Sequence, residues 1–179
     1  MKHPVENYVS QTANENERRG AYFVWSVSCF VTFVWIFLIL LAALAEANNF
    51  PSLSRTLYKF FSFVCHQIPS RSFHLENHAF GVCARCFGVY FGLLGGLLAY
   101  PFFRSVASIE EPFPRFWLFL AMLPMAIDWS LGFSGIWDNT HWSRFLTGAI
   151  LGAVCAVFIV PALVEISQLA ARKIKRPSN

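Results

Sequence analysis

Twenty-five consecutive residues, Ala21 to Ala45, carry no charge, and this run constrains the fold more than any other feature of the chain. As a helix it would be about 37 Å long, more than the roughly 30 Å of a bilayer's hydrocarbon core, so it reads as a tilted first transmembrane span. Ala43-Leu44-Ala45 resembles a signal-peptidase site, but the run is too long and the preceding segment too acidic for a signal peptide. Three more apolar runs follow. Phe87 to Phe103 is short but borrows a turn from Phe80-Gly81-Val82-Cys83 if Arg85 faces protein. Phe116 to Phe133 contains Asp128, and Phe145 to Val164 is uncharged and holds Pro161.

These runs predict an all-α, integral membrane four-helix bundle with helices at about 21–45, 82–103, 116–133 and 144–168 inside a domain spanning 21–168. Residues 1–20 read as a flexible polar tail and 169–179 as a basic cytoplasmic tail. Composition agrees: 56% of the 179 residues are apolar and 13% charged, a balance foreign to soluble domains. The net charge of +4 comes from basic residues near the ends of apolar runs, so it sets topology and marks no nucleic-acid face. With four spans, one side of the membrane would hold Lys2, Arg18, Arg19, Arg104, Arg115, Arg172, Lys173, Lys175 and Arg176. The other would hold Arg55, Lys59, Arg71, Arg85 and Arg144. The excess places both termini in the cytoplasm and the segments Glu46–Val82 and Ser134–Ser143 outside.

The long outer segment is amphipathic or re-entrant. Leu53, Leu57, Phe60, Phe61 and Val64 recur at helical spacing, with Arg55 and Lys59 elsewhere on the wheel. Small residues predict a second contact. Gly88, Gly92 and Gly96, and again Gly148 and Gly152, repeat every four residues, so the second and fourth spans should touch along smooth ridges. The same faces could serve a homo-oligomer or a membrane partner.

Chemistry concentrates where Cys65-His66-Gln67 and Cys83-Ala84-Arg85-Cys86 flank His74 and His78. A Cys-x-x-Cys pair bends around one ion, and a third thiolate plus an imidazole complete a soft tetrahedron suited to zinc or iron. The expected ligands are Cys65, Cys83, Cys86 and His66, with His78 and His74 as rivals for the imidazole. Two alternatives stand beside this. Cys83 could form a structural disulfide with Cys65 or Cys86, or the thiols could run redox chemistry with a quinone, favoured by a helix N-terminus and by Arg71 or Arg85. Cys29 and Cys155 lie mid-span and read as inert core thiols.

Asp128 falls in the outer half of the third span, where an ionisable carboxylate needs a cation, and Arg144 or Arg85 can supply it. Asp128, Arg144, Arg85 and Arg71 are therefore the candidates for any catalytic role. Asp138, Asn139 and His141 read as turn and surface residues.

These motifs together resemble a known family. Cys65-His66-Gln67, Pro69-x-Arg71-Ser72-Phe73, Cys83-x-Arg85-Cys86-x-Gly88, Pro124-x-x-x-Asp128, and Asn139 with Arg144 and Thr147-Gly148 are similar to the signature of DUF2085, a family of small prokaryotic multi-pass membrane proteins. Trp129 stands where that family commonly has Gly after the aspartate. The resemblance implies a location in a prokaryotic cytoplasmic membrane and supplies no activity. The residues themselves lead to a lipid-embedded protein with an outer-facing Cys/His metal site. The alternatives are a membrane thiol-disulfide oxidoreductase using Cys83 and Cys86 with a quinone, or a non-enzymatic structural subunit.

Overall fold

The computed structural model describes residues 15–107 and 113–175. Five helices carry almost all of the structure: α1 (Glu15–Ala47), α2 (Pro51–Phe61), α3 (Ala84–Phe103), α4 (Phe116–Phe133) and α5 (His141–Lys175). Four of them, all but α2, are long and apolar enough to cross a membrane. The chain is an integral membrane four-helix bundle. Its large side chains point outward as lipid requires: Phe102 is 86% exposed and Phe116 66%. Helix α1 takes in Glu15 to Gly20 of the polar N-terminal segment, and α5 runs on to Lys175. Residues 1–14 and 176–179 of the two expected tails lie outside the described residues.

The centre of the bundle is the contact of α3 with α5, along the ridges that the glycine spacing predicts. A Cβ at Gly92 would lie 2.0 Å from the carbonyl oxygen of Ala149, and one at Gly152 2.0 Å from that of Val89. Gly88 faces the Phe145 carbonyl and Gly148 that of Arg85 in the same way. The two backbones are in direct contact, a closeness that only glycine permits. These ridges are therefore used within the chain. Helix α1 leans on the pair, with the Trp25 indole N–H donating to the Leu97 carbonyl at 2.8 Å. Helix α4 packs chiefly on α5 and buries few residues, Ala121 and Asp128 among them.

At the other end of α1 the chain turns into α2, which starts at Pro51, a residue suited to a first helical turn. It is amphipathic as expected. Leu57 and Phe61 are buried, while Leu53 and Phe60 stay exposed. Phe61 joins Ile39, Cys65 and Val82 in a small core, with Trp35 and Tyr90 against it. The segment from 62 to 83 is more structured than a re-entrant loop. A 3-10 turn at Pro69–Arg71 leads into an antiparallel hairpin, β1 (His74–Leu75) and β2 (His78–Ala79). Its two-residue turn, Glu76-Asn77, has φ of +49° and +68°, the left-handed pair whose twist matches a tight hairpin. Phe73 anchors the hairpin, with its ring between 5.5 and 6.2 Å from those of Phe80, Phe87, His141, Trp142 and Phe145. One aromatic cluster thus fixes the hairpin to the first turns of both α3 and α5.

Candidate functional site

The last turn of α1 and of α4 and the first of α3 and α5 gather at one end of the bundle, and the 62–83 segment covers them. Cys65 follows α2 by one more turn, its N–H bonded to the Phe61 carbonyl at 3.0 Å. The chain then reverses at Gln67, where φ is +49°. The Gln67 amide nitrogen donates to the carbonyls of Tyr58 and Gly81, each at 2.8 Å, and the Tyr58 hydroxyl donates to the carbonyl of Ala79. The Gly81 N–H in turn donates to the Ile39 carbonyl of α1 at 3.2 Å. These bonds hold the turn at Cys65 against the strand that leads to Cys83. Cys83 is the N-cap of α3 and Cys86 lies in its first turn.

The result is a cluster of three free thiols whose sulfurs all lie within 4.8 Å of one another. Two backbone N–H groups point at the Cys65 sulfur, from Cys83 at 3.2 Å and from Gln67 at 3.5 Å. The sulfurs of Cys83 and of Cys86 lie against it as well, and hydrogen bonding at Cys65 outweighs burial, holding its thiol well below its ordinary value. His66 is exposed on the wall of a cavity beside the sulfurs, but its ring is outside the group of three. His74 is exposed on the hairpin and His78 is half-buried in it, and neither joins the thiols.

The other candidates surround a cavity of about 440 Å³ beside the sulfurs. Asp128, buried on α4, forms an ion pair with Arg85 of α3, so the aspartate's cation is Arg85 and the salt bridge ties α3 to α4. Arg71 and Arg144 face the cavity itself. Cys29 and Cys155 stand apart on α1 and α5.

Four contributors escape a reading of the sequence. Asn139, taken as a turn residue, is half-buried, and its amide donates to the backbone carbonyl of Asp128. Gly132 makes room for it, since a Cβ there would lie 2.1 Å from Asn139 Oδ1. Gln67 supplies the clamp described above. Its presence in the Cys65-His66-Gln67 motif was a signal, but a side-chain amide between two carbonyls leaves no periodic trace in sequence. Thr140 caps α5, its hydroxyl accepting the Ser143 N–H at 3.0 Å, and so fixes where Arg144 leaves the helix.

Comparison with known proteins shows the family of the chain. The family described as "Predicted membrane protein (DUF2085)" matches residues 65–158, which span the thiols, Arg85, Asp128 and Arg144. An uncharacterized protein of Methanocaldococcus jannaschii is 36% identical over 146 residues, covering 80% of this chain and 93% of that one. An uncharacterized protein of Methanothermobacter thermautotrophicus is 32% identical over 100 residues, covering 54% of this chain and 85% of its own. No solved structure matches. With its family motifs gathered at one end of a four-span bundle, the chain belongs to the DUF2085 family of membrane proteins.

Proposed function

We propose that this membrane protein binds a metal ion, zinc or iron, through Cys65, Cys83 and Cys86 on the outer side of the membrane. The observation that carries the reading is the approach of three sulfurs to within 4.8 Å of one another, with two backbone N–H groups aimed at one of them. Sulfurs at the corners of a tetrahedron around zinc are about 3.8 Å apart, because each Zn–S bond is about 2.3 Å, so the cluster needs only a small contraction to close on an ion. N–H groups aimed at a thiolate are the outer-shell partners that orient a metal ligand and spread its charge. Three protein ligands leave a fourth position. His66, on the wall of the same cavity, can fill it through a rotation of its side chain, or water fills it and the ion faces the cavity.

Elemental analysis of the detergent-purified chain tests this. One equivalent of zinc or iron is expected, and it should fall almost to zero in each of Cys65→Ser, Cys83→Ser and Cys86→Ser, because a serine hydroxyl stays protonated and ligates a soft site poorly. His66→Ala separates the two fourth-ligand cases, losing metal only if the imidazole coordinates. Full metal in the triple-serine protein would refute the site.

The closeness of Cys65 to both other thiols supports a second reading, thiol-disulfide exchange. There Cys83 and Cys86 close a disulfide and a quinone takes up their two electrons and two protons. A metal-free wild type carrying a Cys83–Cys86 or Cys65–Cys83 disulfide would favour it. The outward orientation rests on the charge count. An epitope inserted between Glu76 and Asn77 should be reachable in intact cells, and one fused at the C-terminus only after permeabilisation. The reverse pattern would turn the bundle over.

A further inference from the structure

Three guanidinium groups, those of Arg71, Arg85 and Arg144, line one cavity, and no Asp or Glu side chain lines it among the described residues. Asp128 neutralises Arg85 from behind. Arg71 and Arg144 keep their charge, since a guanidinium cannot be deprotonated in a protein, and Arg144 is within electrostatic reach of both the other arginines. Even with a thiolate at Cys65 the cavity keeps a net positive charge. The first turns of α3 and α5 open at the same end, and the positive poles of their helix dipoles add to the field. The Arg85 Nε is buried without a partner. Like charges held together this way are stable when an anion joins them.

The shape narrows the anion. A volume of about 440 Å³ falls in the range of small-molecule sites, roughly 300–1,000 Å³, and is large for a single halide or carboxylate. One arginine fork saturates a carboxylate, whereas the oxygens of a phosphate can take two forks at once. Part of the remaining wall is apolar, with Val64, Ile68, Trp129 and Phe133 among its residues beside the polar Gln67 and Asn139, and that part suits a hydrocarbon portion attached to the anion. The cavity lies at the end of the bundle where α4 finishes and α3 and α5 begin, the level at which apolar spans of this length reach lipid headgroups.

We propose that this cavity binds a phosphate group through Arg71 and Arg144, with Arg85 fixed by Asp128 as the third positive charge. The phosphate comes either free in solution or as the headgroup of an anionic lipid. The site does not depend on the thiols holding a metal.

Isothermal titration of the full chain in dodecylmaltoside tests it, with three probes: inorganic phosphate, dihexanoyl phosphatidic acid and dihexanoylglycerol, which has the same tails and no phosphate. The metal content of each sample is recorded alongside, so a metal-free protein that still binds phosphate separates this site from the thiol reading. One saturable equivalent of a phosphate-bearing probe is expected, weakened about tenfold or more by Arg71→Gln and by Arg144→Gln and further by added salt. Arg55→Gln, an exposed arginine of α2 away from the cavity, should match the wild type. Equal affinity for inorganic phosphate and phosphatidic acid identifies a free phosphate, and binding of phosphatidic acid alone identifies a lipid. If a glutamine variant fails to run as a single species, Arg144→Lys keeps the charge and loses the fork, and its affinity should still fall. Absence of binding by both phosphate probes, equal binding of dihexanoylglycerol, or undiminished affinity in the arginine variants would overturn the proposal.

Discussion

Cys83 donates its backbone N–H to the sulfur of Cys65, 18 residues earlier in the chain, over 3.2 Å. The bond closes the 65–83 segment onto itself at the point where the sulfurs meet. It also means that the site is oriented by backbone: the N-cap of α3 fixes Cys83, and Cys83 fixes the sulfur of Cys65. Four spans, one hairpin and one side-chain amide serve that single arrangement.

The Gln67 clamp should therefore matter beyond its size. Gln67→Ala removes two hydrogen bonds, which should cost about 1–3 kcal/mol of stability and lower metal affinity by about 10- to 100-fold. Unfolding in mixed detergent and chelator competition measure the two effects separately.

The Arg85–Asp128 pair should respond asymmetrically. Asp128→Leu or Arg85→Leu alone leaves a charge without its partner in the bundle and should destabilise by about 3–5 kcal/mol, whereas the double leucine variant should recover much of the loss. A double-mutant cycle in the same unfolding assay gives the coupling.

Gly92→Val should separate the two central helices. Its side chain would run into the Ala149 backbone, which has no rotamer to retreat to, and the expected loss is about 2–4 kcal/mol. Gly95→Ala, at a position with nothing within 4 Å, should change little. Thermal unfolding of the pair makes the comparison.

Acidification should release the metal. Because the Cys65 thiol is lowered in the fold, its thiolate stabilises the folded chain fully above the ordinary thiol value of about 8.5, and that contribution is lost only as pH falls through the lower folded value. Ligation needs all three thiols deprotonated, so a bound metal competes with protons for three sulfurs and its affinity should fall as pH drops, with protons taken up as metal leaves. A chelator-indicator titration across pH follows both.

How much of this was legible depended on the kind of pattern. The spans were read from runs of uncharged residues, and the α3–α5 contact from glycines four apart, because lipid and helix geometry both write periodic rules into sequence. The approach of Cys65 to the Cys-x-x-Cys pair followed from ligand spacing. The choice of Arg85 over Arg144 for Asp128 could not be read, since both lie at the same depth and only the rotation of α3 and α5 about their contact decides. The hairpin at 74–79 was missed because Glu76-Asn77 lacks the glycine that usually announces such a turn. Asn139 stands in a family motif, but its contact could not be read, because a polar residue in a short loop looks the same whether it faces water or a carbonyl.

The tightest helix pair, α3 with α5, is not consecutive in the chain, and that has a meaning in time. A ribosome delivers α3 first, with its glycine ridge bare and Arg85 lacking its counter-ion. The aspartate arrives one span later and the matching ridge one span after that. The three thiols can meet early, but the floor beneath them closes only when the last span has been synthesised. The protein's maturation is thus ordered by translation itself, and a chain truncated before α5 should linger as an insertion intermediate exposed to quality-control proteases.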